Sequence, residues 1–154
     1  MPTIHCTAEI DISAPAHEAW AILSDYACDV EWRDGVISMT PDRSGEAEIG
    51  TVTDEHLRFA GRTWHNLGVV TSVQPGRRLA WRTTAGARAH GARSVTALDD
   101  RRCRVLLELT AVPTGMMVVV APVLRRMLRR GLRADVIRLR DLVQSRQVLT
   151  PVAS

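Results

Sequence analysis

From Val118 to Gln147 apolar residues return at a spacing of 3.6, with Leu124, Leu128, Leu132, Leu139, Leu142 and Val143 on one stripe and arginine on the other. A helix of that length, about 45 Å at 1.5 Å per residue, cannot bury the stripe against itself. The rest of the chain must supply the partner surface, and most of it reads as strand. Ile4, Cys6, Ala8, Ile10 and Ile12 alternate with His5, Thr7, Glu9 and Asp11, the period of a half-buried strand. Ser13-Ala14-Pro15 then changes the period: Ser13 is the expected cap, Pro15 suits a first turn, and Ala19, Trp20, Ile22 and Leu23 have helical spacing. Asp25 to Trp32 reads as a second short helix or a loop. Strand-like runs follow at 35–39, 50–59, 62–73, 78–84, 90–98 and 104–112, separated by Ala60-Gly61, Gln74-Pro75-Gly76 and Asp99-Asp100. Such short connections predict an antiparallel meander.

The chain has 154 residues, enough for one core and too few for two. A single domain over residues 1–148 is expected, with 149–154 a frayed tail. All 20 basic residues are arginine, which excludes Schiff-base lysine chemistry, a P-loop lysine and a Ser-Lys dyad. Arg125, Arg126, Arg129, Arg130 and Arg133 lie where they solvate a helix face; the sharper reading is weak contact with an anionic membrane. Nucleic acid is not an expected partner, because interleaved aromatics and reading motifs are missing. No apolar run reaches 18 residues and the N-terminus lacks a signal-peptide pattern, so the expected place is the cytoplasm. Three widely spaced cysteines suit reduced, buried thiols. There is no H-E-x-x-H, G-x-S-x-G, G-x-G-x-x-G or C-x-x-C, so neither a metal cluster nor a cofactor is expected. Monomer and homodimer both stay open.

Ala14-Pro15, Trp20, Leu23, Asp25 and Trp32, then Val73, Pro75, Leu79 and Trp81, and finally Arg133-Ala134-Asp135 before Leu139, resemble the START/Bet v 1-like (SRPBCC) superfamily. Within it the chain is most similar to the polyketide cyclase/dehydrase and lipid-transport group, over about residues 3 to 146. The resemblance implies an α+β helix-grip fold: a curved seven-stranded antiparallel sheet around the long last helix, two short helices after the first strand, and an apolar cavity. A physical argument supports the cavity, since a curved sheet cannot meet a straight helix along its whole length. Gly68 and Gly131 would enlarge the wedge. A dry void of roughly 500 Å³ would cost about 12 kcal/mol, so the space must hold water or a ligand.

Alternation puts Leu67, Val69 and Val73 on one face of the fourth strand and Trp64, Asn66, Gly68 and Val70 on the other. Similarity to aromatase/cyclases implies that the second set faces the cavity. Trp32 is expected near the entrance, with Trp81 from a neighbouring strand and Val120, Leu124, Met127 and Leu128 from the helix completing the lining. A protein that binds a small hydrophobic molecule, polyketide- or lipid-like, fits these features without catalytic residues. A polyketide cyclase or dehydratase is the alternative, and an interaction module with a vestigial cavity a third. Where aromatase/cyclases carry Ser and Arg, this chain reads Gly68 and Val70. Proton transfer would therefore fall to His90 and His65, with Arg58 or Arg82 steadying an enolate.

Overall fold

The computed structural model describes residues 2–149. Strand β1 (Ile4–Ile12) is followed by helix α1 (Ala16–Leu23), a 3-10 turn (Tyr26–Cys28) and a single-turn helix α2 (Asp29–Trp32). Six strands come next: β2 (Val36–Pro41), β3 (Val52–Phe59), β4 (Arg62–Gln74), β5 (Arg78–Ala85), β6 (Ala89–Asp99) and β7 (Arg102–Ala111). A 3-10 turn (Gly115–Val118) leads into the long helix α3 (Ala121–Leu149). The strands form one antiparallel sheet in the order β1-β7-β6-β5-β4-β3-β2. Each of β2 to β6 pairs with its successor in sequence, and β1 closes against β7 from Ile4↔Ala111 to Ile12↔Cys103. This is the helix-grip fold: the curled sheet holds α3 on its concave face.

Three local expectations change. Ser13 does not cap α1; Pro15 occupies the cap position in extended backbone, and the Ser13 amide donates to Gln144 Oε1 at 3.0 Å. Proline there has no amide proton to leave unsatisfied. The long helix starts at Ala121 rather than Val118, because the preceding residues form a 3-10 turn opened by Gly115 at φ +60°. Pro122 then lies in the first turn, where its missing amide costs nothing. Finally, the β4–β5 register shifts between Val70 and Ser72. One extra residue restarts the alternation, so Val73 joins the core beside Val70 instead of facing away with Val69. The frayed tail lies outside the described residues, although α3 is still helical at Leu149.

The core divides along α3. Val136, Leu139 and Val143, in its C-terminal half, pack with Ile12, Trp20, Leu23, Leu79 and Val105. In the N-terminal half Leu124 is buried against Ile4 and Cys6, with Phe59, Met117 and Leu128 packed around them. Leu132 packs against both clusters, and α3 lies along β1 while standing off from the middle strands of the sheet.

Candidate functional site

The gap between α3 and the sheet is a cavity of about 520 Å³. On the helix it is faced by Leu124, Leu128, Gly131 and Asp135, which repeat at four, three and four residues and so form one stripe. A methyl group built on Gly131 would meet nothing within 4 Å. Its absence leaves space, as the sequence suggested. Gly68 has a different reason: a Cβ there would come within 2.8 Å of Thr53 Oγ1, so close strand packing demands glycine.

Of the residues expected to line the cavity, Trp64, Asn66, Gly68, Val70, Trp81, Leu124, Met127 and Leu128 border it. Asn66 and Val70 are buried while His65 and Thr71 are exposed, so Asn66 and Val70 face inward. Val70 pairs with Trp81, which brings that ring to the same face. Trp64 donates its Nε1 hydrogen to the Phe59 carbonyl at 3.3 Å and lies under the Arg62 guanidinium. Two residues depart from expectation. Trp32 is fully buried beneath Arg93 in the core, away from any entrance, and its Nε1 has no partner among the described residues. Val120 precedes the helix and is exposed outside the cavity.

The histidines also lie elsewhere. His65 follows Trp64 and precedes Asn66, so the pleat that turns those two inward turns it outward. His90 neighbours Gly91, the cross-strand partner of Trp81, and is exposed on the convex face with His5 and Thr110. Neither histidine borders the cavity. Arg82 is exposed as well, while Arg58 stands at the rim.

In their place the cavity has a polar end that the sequence reading missed. Arg93 grips the fully buried Asp29 with two bonds, Nη1 to Oδ1 at 2.9 Å and Nη2 to Oδ2 at 2.6 Å, and donates a third to the Leu23 carbonyl. Arg33 bridges Asp29 at 3.0 Å and Glu55 at 2.7 Å. Asn66 donates to Glu55 at 3.1 Å and accepts from the Ala87 amide at 2.9 Å, which fixes its side chain. Two cations thus balance two anions, and bidentate arginine satisfies most of their bonding capacity, the condition under which charge tolerates burial. Tyr26 lies beneath Arg93, its ring centroid 4.3 Å from the guanidinium carbon. Burial pushes its phenol up to about 12, and its hydroxyl has no partner among the described residues.

Asp135 is a carboxylate beyond that balance. It stands on the apolar stripe of α3 and accepts from the Asp34 amide at 3.3 Å. Burial raises it to about 6, against the opposing pull of Arg33. A sequence signal for it existed: the series Leu128, Leu132, Asp135, Leu139, Leu142 carries a charge where the spacing asks for leucine. Asp29 and Arg33 are four residues apart, but Arg93 had no such signal, because tertiary folding brings it to Asp29 across 64 positions.

Residues 3–144 match the profile of a family described as polyketide cyclase/dehydrase and lipid transport. No curated protein matches the chain by sequence. Among solved structures, the Zhui aromatase/cyclase from Streptomyces sp. R1128 is similar at TM-score 0.81 and 17% identity, covering 95% of this chain and 96% of that one. A protein of Thermus thermophilus reaches 0.80 at 16% identity, over 92% and 98%. A START superfamily protein from Mycobacterium smegmatis reaches 0.75 at 13%, over 95% and 99%.

Proposed function

The chain belongs to the polyketide cyclase/dehydrase and lipid transport family, and from that membership and the cavity we propose that it binds a small hydrophobic molecule with one polar end. The observation that carries this reading is the cavity of about 520 Å³, with Phe59, Trp64, Leu124 and Leu128 at one end and the Arg33, Glu55, Asn66 and Asp135 array at the other. Apolar walls supply affinity, and a few fixed polar groups orient the ligand. Native mass spectrometry of the purified chain tests the reading, together with titration of a hydrophobic fluorophore that quenches Trp64 and Trp81. The expected result is one ligand per chain, retained or displaceable. Absence of both a retained mass and saturable quenching would refute it.

A second reading, that the bound molecule is turned over by a cyclase or dehydratase reaction, is favoured by Asp135. With its proton held to about 6, this carboxylate is a base matched to neutral pH. Arg33 beside it could steady the oxyanion that forms when a carbon next to a carbonyl loses its proton. In this reading D135N turns over a linear polyketide mimic about 100- to 10,000-fold more slowly, whereas H90A and H65A keep the wild-type rate. Equal rates for D135N and wild type would remove the mechanism.

Access to the cavity suggests how a lipid-like ligand would arrive. Met116 and Val119 are 85% and 79% exposed, Val123 is 58% exposed, and Met117 beside them borders the cavity. The next two turns of α3 present Arg125, Arg126, Arg129 and Arg130 to solvent. An apolar tip backed by cations suits an anionic membrane surface. No helix among the described residues is long and apolar enough to cross a membrane, so this contact would be interfacial. Co-sedimentation with anionic vesicles at physiological salt, where the Debye length is about 8 Å, should be lost in M116E/V119E. If the arginines merely solvate the helix, wild type will not sediment either.

A further inference from the structure

Two histidines on the convex face of the sheet have no part in the cavity. His56 and His65 are direct cross-strand partners on β3 and β4. Their rings stack with centroids 4.3 Å apart and planes within 7°. Asp54 precedes His56 by two residues and so shares its face. One oxygen of Asp54, Oδ1, lies 2.8 Å from His65 Nε2 and 3.8 Å from His56 Nδ1. From β2, Ser38 Oγ sits 3.1 Å from the same His56 Nδ1. The three ligand-type atoms of Asp54, His56 and His65 all lie within 4.8 Å of one another. No H-E-x-x-H or C-x-x-C spacing marks these residues, because the β3–β4 hairpin assembles them.

The geometry points to a surface site for a divalent transition-metal ion of the Zn²⁺, Ni²⁺ and Cu²⁺ class, held by Asp54, His56 and His65. Two imidazoles and one carboxylate are the donor set that these ions prefer over Mg²⁺ or Ca²⁺, which favour oxygen alone. Around a tetrahedral zinc with bonds near 2.0–2.1 Å, neighbouring donor atoms stand about 3.3 Å apart. The separations at Asp54, 2.8 and 3.8 Å, bracket that value. Parallel rings cannot both aim their lone pairs at one ion, so binding must splay them. Both side chains are about half exposed, at 45% and 55%, so each has solvent on one side to move into. Three protein ligands leave the fourth position to water or to Ser38. On the opposite face of the same strands Glu55 pairs with Asn66, so the ion would pin together the two strands that hold the polar end of the cavity.

Isothermal titration of the untagged full chain with ZnCl₂ and NiCl₂ tests the site. One equivalent should bind, H56A and H65A should each weaken binding at least tenfold, and H90A should leave it unchanged. Copper provides a readout that requires no variant: the wild-type chain with one equivalent of Cu²⁺ should give an electron paramagnetic resonance spectrum with coupling to two imidazole nitrogens. Uptake that persists in the H56A/H65A double variant, absence of uptake below millimolar metal, or a copper spectrum without two-nitrogen coupling would each overturn the assignment. Should the alanine variants fold poorly by circular dichroism, H65Q serves in their place.

Discussion

Replacing Gly131 separates two effects that the structure assigns to one position. Gly131 sits in the interior of α3, on the stripe of Leu124, Leu128 and Asp135 that faces the sheet, and a Cβ there would meet nothing within 4 Å. Glycine in a helix interior costs about 0.8–1.0 kcal/mol relative to alanine. With no clash to offset that gain, G131A should stabilise the protein by about 1 kcal/mol, raising Tm by roughly 2–4 °C for a chain of this size. G131F keeps only part of the gain in helix propensity and sends a ring into the cavity of about 520 Å³. A phenylalanine side chain brings roughly 150–250 Å² of surface, enough to occupy the space that a ligand would use. Its hydrophobic-probe affinity should fall at least tenfold, about 1.4 kcal/mol, while the fold stays intact. Urea denaturation and probe titration on the same three proteins supply both numbers. If G131A were destabilised by more than about 1 kcal/mol, the space at Gly131 would be filled. If G131F bound the probe as tightly as wild type, the ligand would lie elsewhere.

Three further outcomes follow from the polar end. Asp135 holds its proton to about 6 in the fold and releases it near 4 when unfolded, so its contribution to stability falls as pH rises from about 4 to 6, and the penalty persists above that. D135N, which cannot ionise, should match wild type near pH 4 and exceed it at pH 7.5 by up to about 3 kcal/mol; a difference independent of pH in denaturation curves would contradict this. Y26F removes a buried hydroxyl without a partner among the described residues and should be neutral or stabilising, because an unsatisfied buried group costs about 1–3 kcal/mol; a loss above about 1 kcal/mol in urea melts would mean that the hydroxyl is bonded. R93M deprives the buried Asp29 of its bidentate partner and should cost about 3–5 kcal/mol, read as a lowered urea midpoint; a loss below about 1 kcal/mol would show that Arg33 alone suffices.

The succession of periods in the sequence determines the order of elements, because a residue's preference for strand or helix is local: alternation in Ile4–Ile12 and the 3.6 spacing from Leu124 to Val143 need no partner to be read. Alternation divided β4 into two faces without saying which turns inward, a choice that rested on the family resemblance, and it misplaced Val73, since a bulge between Val70 and Ser72 adds a residue that no alternation announces. Trp32 and Val120 went astray for a related reason: hydrophobicity says that a side chain seeks cover, not which cover it finds. Asp135 left a trace as the charge on a leucine stripe, but most of the polar partnerships were decided by tertiary structure. Whether His90 and His65 face cavity or solvent depends on the pleat of paired strands. Arg93 meets Asp29 across 64 positions, and His56 meets His65 only because the hairpin registers them opposite each other. Apolar burial is nondirectional and leaves a periodic trace, whereas a hydrogen bond or a metal ligand set needs particular atoms at particular distances, and only the folded chain supplies these.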